Sequence, residues 1–407
     1  MAVRHCFQGG LPRAFFYIFP NNTLSMRLVL SGGGTGGHII PNIALIHELR
    51  ERFSEPVSSG ESGGNEARSP ELLYIGSRQG MEQKMIEEID VPFVGITTGK
   101  LRRYFSFKNV LDFFRVPVGI LQSVAILMKF RPDVIFCKGG YVSFPVAVAG
   151  WFLRIPVILH ESDVSPGLAN RLCARFASVV CTSFEESKKY FRKQKVHCTG
   201  NPVRRELALA NAEDGRKFLD FSSDLPVLLV MGGSSGAEYI NQMTWRNLEQ
   251  LLSHYQVAHI CGKGKVQPPD RLVEHLKPEH QKYLSRYRSF EFLDHELKDV
   301  YAAADVMVSR AGAISLAEID FFDKPVVLIP LGKSASRGDQ ILNAEAYATR
   351  NLAKVLYEGE FSDVEFLEDV QYLFKHRKTS SIGHKKDDKF QANEKIIRLL
   401  SKYENRS

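Results

Sequence analysis

Short apolar runs recur along the chain, each closed by glycine or a polar turn and several followed by apolar residues at helical spacing. The first, Arg27-Leu28-Val29-Leu30-Ser31, passes into the glycine string Gly32–Gly37 and then into a helix marked by Ile43, Ala44 and Leu45. Much later, Val227-Leu228-Leu229-Val230-Met231 repeats the arrangement with Gly232-Gly233-Ser234-Ser235-Gly236 and a second helix. β-Branched runs without polar alternation belong to parallel sheets covered on both faces. The same pattern predicts strands at Leu72–Ile75, Val134–Phe136, Val157–Leu159 and Val179–Val180, then at Ala258–Ile260, Val306–Val308 and Val326–Ile329. Two strand–glycine–helix openings predict an α/β chain of two Rossmann-like domains.

The turn signal Gly200-Asn201-Pro202 places the linker, giving domains at 26–204 and 205–388. Residues 54–70, rich in Ser, Gly and Glu, read as a mobile surface insertion, and 376–389 as a basic spacer. A last helix, about 391–403 within a terminal segment 389–407, is expected to return to the first domain. Residues 1–25 read as a disordered extension: Arg4 and Arg13 precede the short aromatic run Phe15–Phe19, and Met26 stands just before the first strand as the expected natural start.

Composition narrows the class. With 407 residues, 44% hydrophobic and 24% charged, the chain is globular and large enough for two cores. A net charge of +7 favours anionic partners, yet no stripe of cations and stacking aromatics marks a nucleic-acid platform. The six cysteines form no C-x-x-C pair and read as buried thiols in a reducing compartment, not as metal ligands. The most apolar long segment, Val110–Met128, is interrupted by Asp112, Arg115 and Pro117, so no spanning helix is predicted.

Gly32, Gly34 and Gly37 satisfy G-x-G-x-x-G between a strand and a helix, a frame that lets backbone amides approach a phosphate. A dinucleotide would want an acid at the tip of the second strand. The chain offers Ile75-Gly76-Ser77-Arg78 and Ile260-Cys261-Gly262-Lys263 instead, which weakens an NAD-dependent oxidoreductase. The fuller string Gly33-Gly34-Thr35-Gly36-Gly37-His38 with Pro41 resembles the opening loop of the MurG-type N-acetylglucosaminyltransferases of glycosyltransferase family 28. The resemblance continues in order through Gly139–Ser143, His160-Glu161, Gly200–Arg204, Gly232–Ala237, Ser309–Ala313 with Glu318, and Gln340 with Asn343.

That resemblance implies a GT-B fold, two Rossmann-like domains facing across a cleft, with the acceptor held by the first and UDP-N-acetylglucosamine by the second. It puts His38 and Glu161 in catalytic positions and Tyr141 at the acceptor. A histidine that titrates near neutrality suits removal of the acceptor proton, or else orders the loop. Thr35, Gly36 and Gly37 would meet the diphosphate or sugar, and Ser234 and Arg204 the leaving group. Ala313, Ile314, Ser315, Leu316, Ala317 and Glu318 match a donor-binding helix, with Glu318 on the ribose diol; Leu293 matches a uracil contact, and Gln340 and Asn343 match sugar-hydroxyl readers. Asp163 stands where the family usually has asparagine, so it can accept but not donate, and near a diphosphate it needs a partner or a proton.

No Asp-x-Asp motif occurs, so neither a metal nor another cofactor is expected. Lys100, Arg102, Arg103 and Phe105 form a basic aromatic patch suited to anionic lipid headgroups. The expected reaction is inverting transfer of N-acetylglucosamine to the 4-hydroxyl of an undecaprenyl-diphospho-muramoyl peptide, at the cytoplasmic face of a bacterial plasma membrane. Other cell-wall or division proteins are possible partners under this reading. A diacylglycerol galactosyltransferase-like enzyme and a non-catalytic sugar-nucleotide sensor remain as alternatives.

Overall fold

The computed structural model describes residues 26–54, 69–78, 80–99, 107–192, 195–233, 236–332, 337–377 and 390–404. The extension 1–25, most of the 54–70 insertion and of the 376–389 spacer, the patch Lys100, Arg102, Arg103 and Phe105, and Ser234 lie outside them.

The first sheet comprises β1 (Arg27–Gly32), β2 (Glu71–Ser77), β3 (Phe93–Ile96), β4 (Val134–Gly139), β5 (Val157–Glu161), β6 (Val179–Thr182) and β7 (Val196–Cys198). The second comprises β8 (Val227–Met231), β9 (Gln256–Ile260), β10 (Tyr287–Phe290), β11 (Val306–Ser309), β12 (Val326–Leu328) and β13 (Ala353–Val355). Their orders are β3-β2-β1-β4-β5-β6-β7 and β10-β9-β8-β11-β12-β13. Every pairing is parallel. In each sheet the order reverses beside the strand that leads into the glycine loop, between β1 and β4 and between β8 and β11. Ligands of open parallel sheets bind at such reversals, beyond the strands' carboxyl ends.

Alternate side chains enter opposite cores, as an extended strand covered on both faces requires. Leu28 and Leu30 pack on one side of the first sheet with Tyr74 and Phe136, while Val29 packs on the other with Ile135 and Val146. Val227 and Leu229 join one core of the second sheet, Leu228 and Val230 the other.

The internal repeat extends to a polar detail. Asp133, just before β4, accepts from Arg27 N at 2.7 Å, and Asp305, just before β11, accepts from Val227 N at 2.8 Å. In both domains an aspartate thus satisfies the first amide of the opening strand and sets its register against the neighbour.

The last helix, Gln391–Ser401, belongs to the first domain's core: Ile396, Ile397, Leu399 and Leu400 pack with Met26, Leu45 and Tyr74. Its Asn393 side chain brackets Val203, accepting from its N–H and donating to its carbonyl, both at 3.1 Å. The described cysteines are free; Cys198 is half-buried and the others buried. No described helix is long and apolar enough to cross a membrane.

Candidate functional site

The functional candidates gather where the carboxyl ends of the two sheets meet. In the first domain the loop after β1 turns sharply at Gly34, whose φ of +90° and distance of 2.8 Å from an added Cβ to the Tyr141 ring exclude a side chain. Tyr141 thus forms one wall under the glycine loop. Thr35 holds His38 twice: its carbonyl accepts from His38 N and its hydroxyl lies 3.1 Å from His38 Nδ1. Burial, with the positive charges of Lys138 and Arg337, pulls the imidazole down to about 4. It is therefore neutral at pH 7, the form that accepts a proton.

Behind this loop lies a polar cluster at the ends of β4 and β5. Lys138 is wholly buried, with Nζ 2.8 Å from His160 Nδ1 and 3.1 Å from Asn201 Oδ1. Glu161 is also buried. Its two oxygens accept from Asp163 N at 2.9 Å and Asn170 Nδ2 at 2.8 Å, and burial reinforced by Asp163 pushes its carboxyl up to about 7. Glu161 therefore organises the strand end behind the glycine loop.

Asp163 has the partners its charge demands. Oδ1 accepts from Asn343 Nδ2 at 2.9 Å and Oδ2 lies 3.9 Å from Arg337 Nη2, both in the second domain. Asn343, expected to read sugar hydroxyls, is wholly buried: its NH2 also donates to Ala311 O at 3.2 Å and its oxygen accepts from Val164 N at 2.9 Å. Both amide hydrogens are thus committed. In this arrangement Asn343 is a strut between domains.

On the opposite wall the helix Ala313–Phe321 begins at Gly312 and points its unpaired amides toward the junction. Ala313 and Leu316 anchor it in the core, while Ile314, Ser315 and Ala317 stay partly accessible. An added Cβ on Gly37 would come within 4.0 Å of Ile314 Cδ1, so the two domains' loops nearly touch. Glu318 is buried, accepting from Arg204 Nη2 at 3.2 Å and Tyr301 OH at 3.2 Å. Arg204 Nε is buried without a hydrogen-bond partner, a donor left available beside the carboxylate. Gln340 Oε1 accepts from Leu331 N at 3.0 Å. The Leu293 side chain lies in the core, leaving only its backbone for a base. After β8, Gly236 at φ +66° would drive a Cβ to 2.0 Å from Cys261 O, so a side chain is excluded there as it is at Gly34.

Lys138 belongs to no motif; its one signal in the sequence is that a lysine closes the apolar run Val134–Cys137 of a doubly covered strand.

Paired parallel α/β domains, each presenting a glycine loop and a helix N-terminus to a shared cleft, define the GT-B class of nucleotide-sugar enzymes. The chain matches the glycosyltransferase family 28 N-terminal domain over residues 28–182 and the family 28 C-terminal domain over 227–399. It belongs to glycosyltransferase family 28. It is 41% identical over 375 residues to UDP-N-acetylglucosamine--N-acetylmuramyl-(pentapeptide) pyrophosphoryl-undecaprenol N-acetylglucosamine transferase 2 of Bacillus cereus, covering 92% of this chain and 99% of that one. To the transferase of the same name from Legionella pneumophila it is 44% identical over 363 residues, covering 89% and 92%. The fold resembles that of Acinetobacter baumannii MurG, with a TM-score of 0.66 and 21% identity over 93% of this chain and 99% of that one. It also resembles a Neisseria meningitidis UDP-GlcNAc 2-epimerase bound to UDP-GlcNAc, with a TM-score of 0.58 and 13% identity over 93% and 100%.

Proposed function

We propose that the chain is a hexosyltransferase that moves N-acetylglucosamine from UDP-N-acetylglucosamine to the 4-hydroxyl of a muramoyl peptide carried on undecaprenyl diphosphate, forming lipid II from lipid I. The observation that carries this reading is the placement of a neutral, Thr35-held His38 opposite the N-terminus of the Ala313 helix. The close relatives named above are transferases of this kind along nearly their whole length.

In the reaction, His38 takes the acceptor's hydroxyl proton while that oxygen bonds to the anomeric carbon. The bond to the UDP oxygen breaks on the opposite face, inverting the centre. Developing charge on the diphosphate is met by the loop amides, the Ala313 helix end and Arg204. Because these groups supply positive potential, chelation of divalent ions is expected to leave the rate unchanged. The test is incubation with UDP-N-acetylglucosamine and lipid acceptor, with and without chelator, followed by product analysis. Absence of a β-linked disaccharide lipid sinks the reading.

The acceptor's lipid tail requires a membrane beside the first domain. On the helix Phe107–Phe130, Val118, Leu121 and Met128 are exposed along one stripe, and Trp151 and Phe152 are exposed at the end of the helix Ser143–Phe152 packed against it. Exposed Arg115, Lys129 and Arg154 accompany them, a combination that favours peripheral docking on the anionic cytoplasmic face of the plasma membrane. Leu121→Ser with Trp151→Ser and Phe152→Ser is expected to abolish sedimentation with anionic vesicles while UDP-N-acetylglucosamine binding, followed by calorimetry, is retained.

A further inference from the structure

Lys138 ends β4 as a wholly buried cation, and the transfer chemistry described above makes no use of it. A lysine is almost never buried unless its charge and its donors are met. Here Nζ lies 2.8 Å from His160 Nδ1, 3.1 Å from Asn201 Oδ1, and against Ser162 Oγ. His160 Nε2 stands 2.8 Å from Gly200 O, which can only accept, so Nε2 carries the proton and Nδ1 accepts from the lysine. The ammonium thus has an acceptor for each of its hydrogens; burial pulls Lys138 down to about 7, and the neighbouring Glu161 and Asp163 carboxyls work against that fall.

The contact with Asn201 reaches farthest. Asn201 is buried in the segment that joins the two sheets. An amide whose oxygen is held by an ammonium must turn its NH2 the other way, and Nδ2 donates at 3.2 Å to Ala313 O in the first turn of the second domain's helix. The ammonium at one end and the Ala313 carbonyl, which can only accept, at the other favour the same orientation, and loss of the ammonium leaves the amide oxygen without its charged donor and the amide less firmly held against Ala313.

We propose that Lys138 is a positioning residue for the transfer: it orients the Asn201 amide so that the Ala313 helix, the proposed donor-binding element, is held at a fixed distance from the loop carrying His38. The proposal rests on the donor-site reading given above. The charged and titratable groups around the ammonium are His160, Glu161 and Asp163 at the end of β5, Cys181 on β6, and His38 across the loop. Because its charge, after burial, also works against protonation of His38, its loss is expected to move the acid limb of the kcat/KM profile to higher pH, whereas Lys138→Arg, which keeps the charge, is expected to leave that limb in place.

The experiment measures donor and acceptor KM for the full chain and for Lys138→Met, Asn201→Ala and the double variant. Each single variant is expected to raise the donor KM by roughly ten-fold or more and to leave the acceptor KM unchanged. The double variant is expected to be no worse than the poorer single, because both break one connection. A wild-type donor KM in folded Lys138→Met, an equal rise in both KM values, or losses that multiply in the double variant overturns the proposal. Should Lys138→Met fail to fold, Lys138→Met/Glu161→Gln/Asp163→Asn removes the charges together and must show the same donor defect for the proposal to stand. A wild-type chain without turnover sinks the functional reading and this proposal with it, whereas an active wild type with unaffected variants sinks the proposal alone.

Discussion

Each domain buries an imidazole with both ring nitrogens engaged, and the two are wired differently. His259, on β9, sits in a neutral chain: Trp245 Nε1 donates to Tyr287 OH at 3.1 Å, that hydroxyl donates to His259 Nδ1 at 2.8 Å, and Nε2 donates to Asn241 Oδ1 at 3.0 Å. Asn241 then donates to Cys261 O at 2.9 Å, and the chain closes inside its own domain. His160 instead touches an ammonium and the carbonyl of Gly200, and its network ends on Ala313 of the other domain. The comparison separates two uses of buried polarity. A neutral, self-contained network specifies one core. A charged network that crosses between domains ties geometry on one side of the cleft to chemistry on the other.

The largest effect belongs to the junction. His38→Ala is expected to lower kcat by about 100-fold or more while UDP-N-acetylglucosamine binding persists, measured by turnover and calorimetry on the same preparation. Next comes the strut: Asn343→Ala strips partners from Asp163, Val164 N and Ala311 O, at a cost of about 2–3 kcal/mol in urea unfolding together with weaker donor binding. His259→Leu is expected to cost about 2 kcal/mol by the same measurement, yet to leave kcat/KM per folded molecule unchanged. If that variant instead damages turnover, the contrast between the networks fails.

The two networks also respond to pH differently. Burial lowers His259 to about 3, so the unfolded chain takes up the proton first; the stabilisation is complete above the ordinary histidine value and is lost as pH falls toward 3. Between pH 6.5 and 5 this amounts to about 2 kcal/mol. The wild type should therefore lose that much more stability than His259→Leu across the interval. In the first domain the fall of His160 is opposed by Glu161, raised to about 7, whose stabilising protonated form is lost as pH rises from the usual carboxylate range to 7. Smallest of all, Arg350→Ala removes an exposed ion pair to Glu186 across the hinge, and the expected cost stays below about 1 kcal/mol.

What the sequence revealed divides by position in the sheet. The interior strands β1, β2, β4, β5, β6, β8, β9, β11 and β12 announce themselves as β-branched runs because both their faces are buried. The four outermost strands β3, β7, β10 and β13 escape that reading. Tyr287-Arg288-Ser289-Phe290 shows why: a strand with only one neighbour keeps polar side chains and loses the continuous apolar signature. The site divides in the same way. His38 and the glycine loops are legible because their chemistry is local in sequence. The roles of Lys138, Asp163 and Asn343 depend on partners that folding brings from 22 to 180 residues away, and no short motif encodes such pairings.

The return of the last helix to the first domain means the backbone spans the gap twice, once near Asn201 and again between His376 and Phe390. Two crossings restrain turning of one domain against the other more than a single linker would, so any change in the width of the cleft is confined to fewer directions.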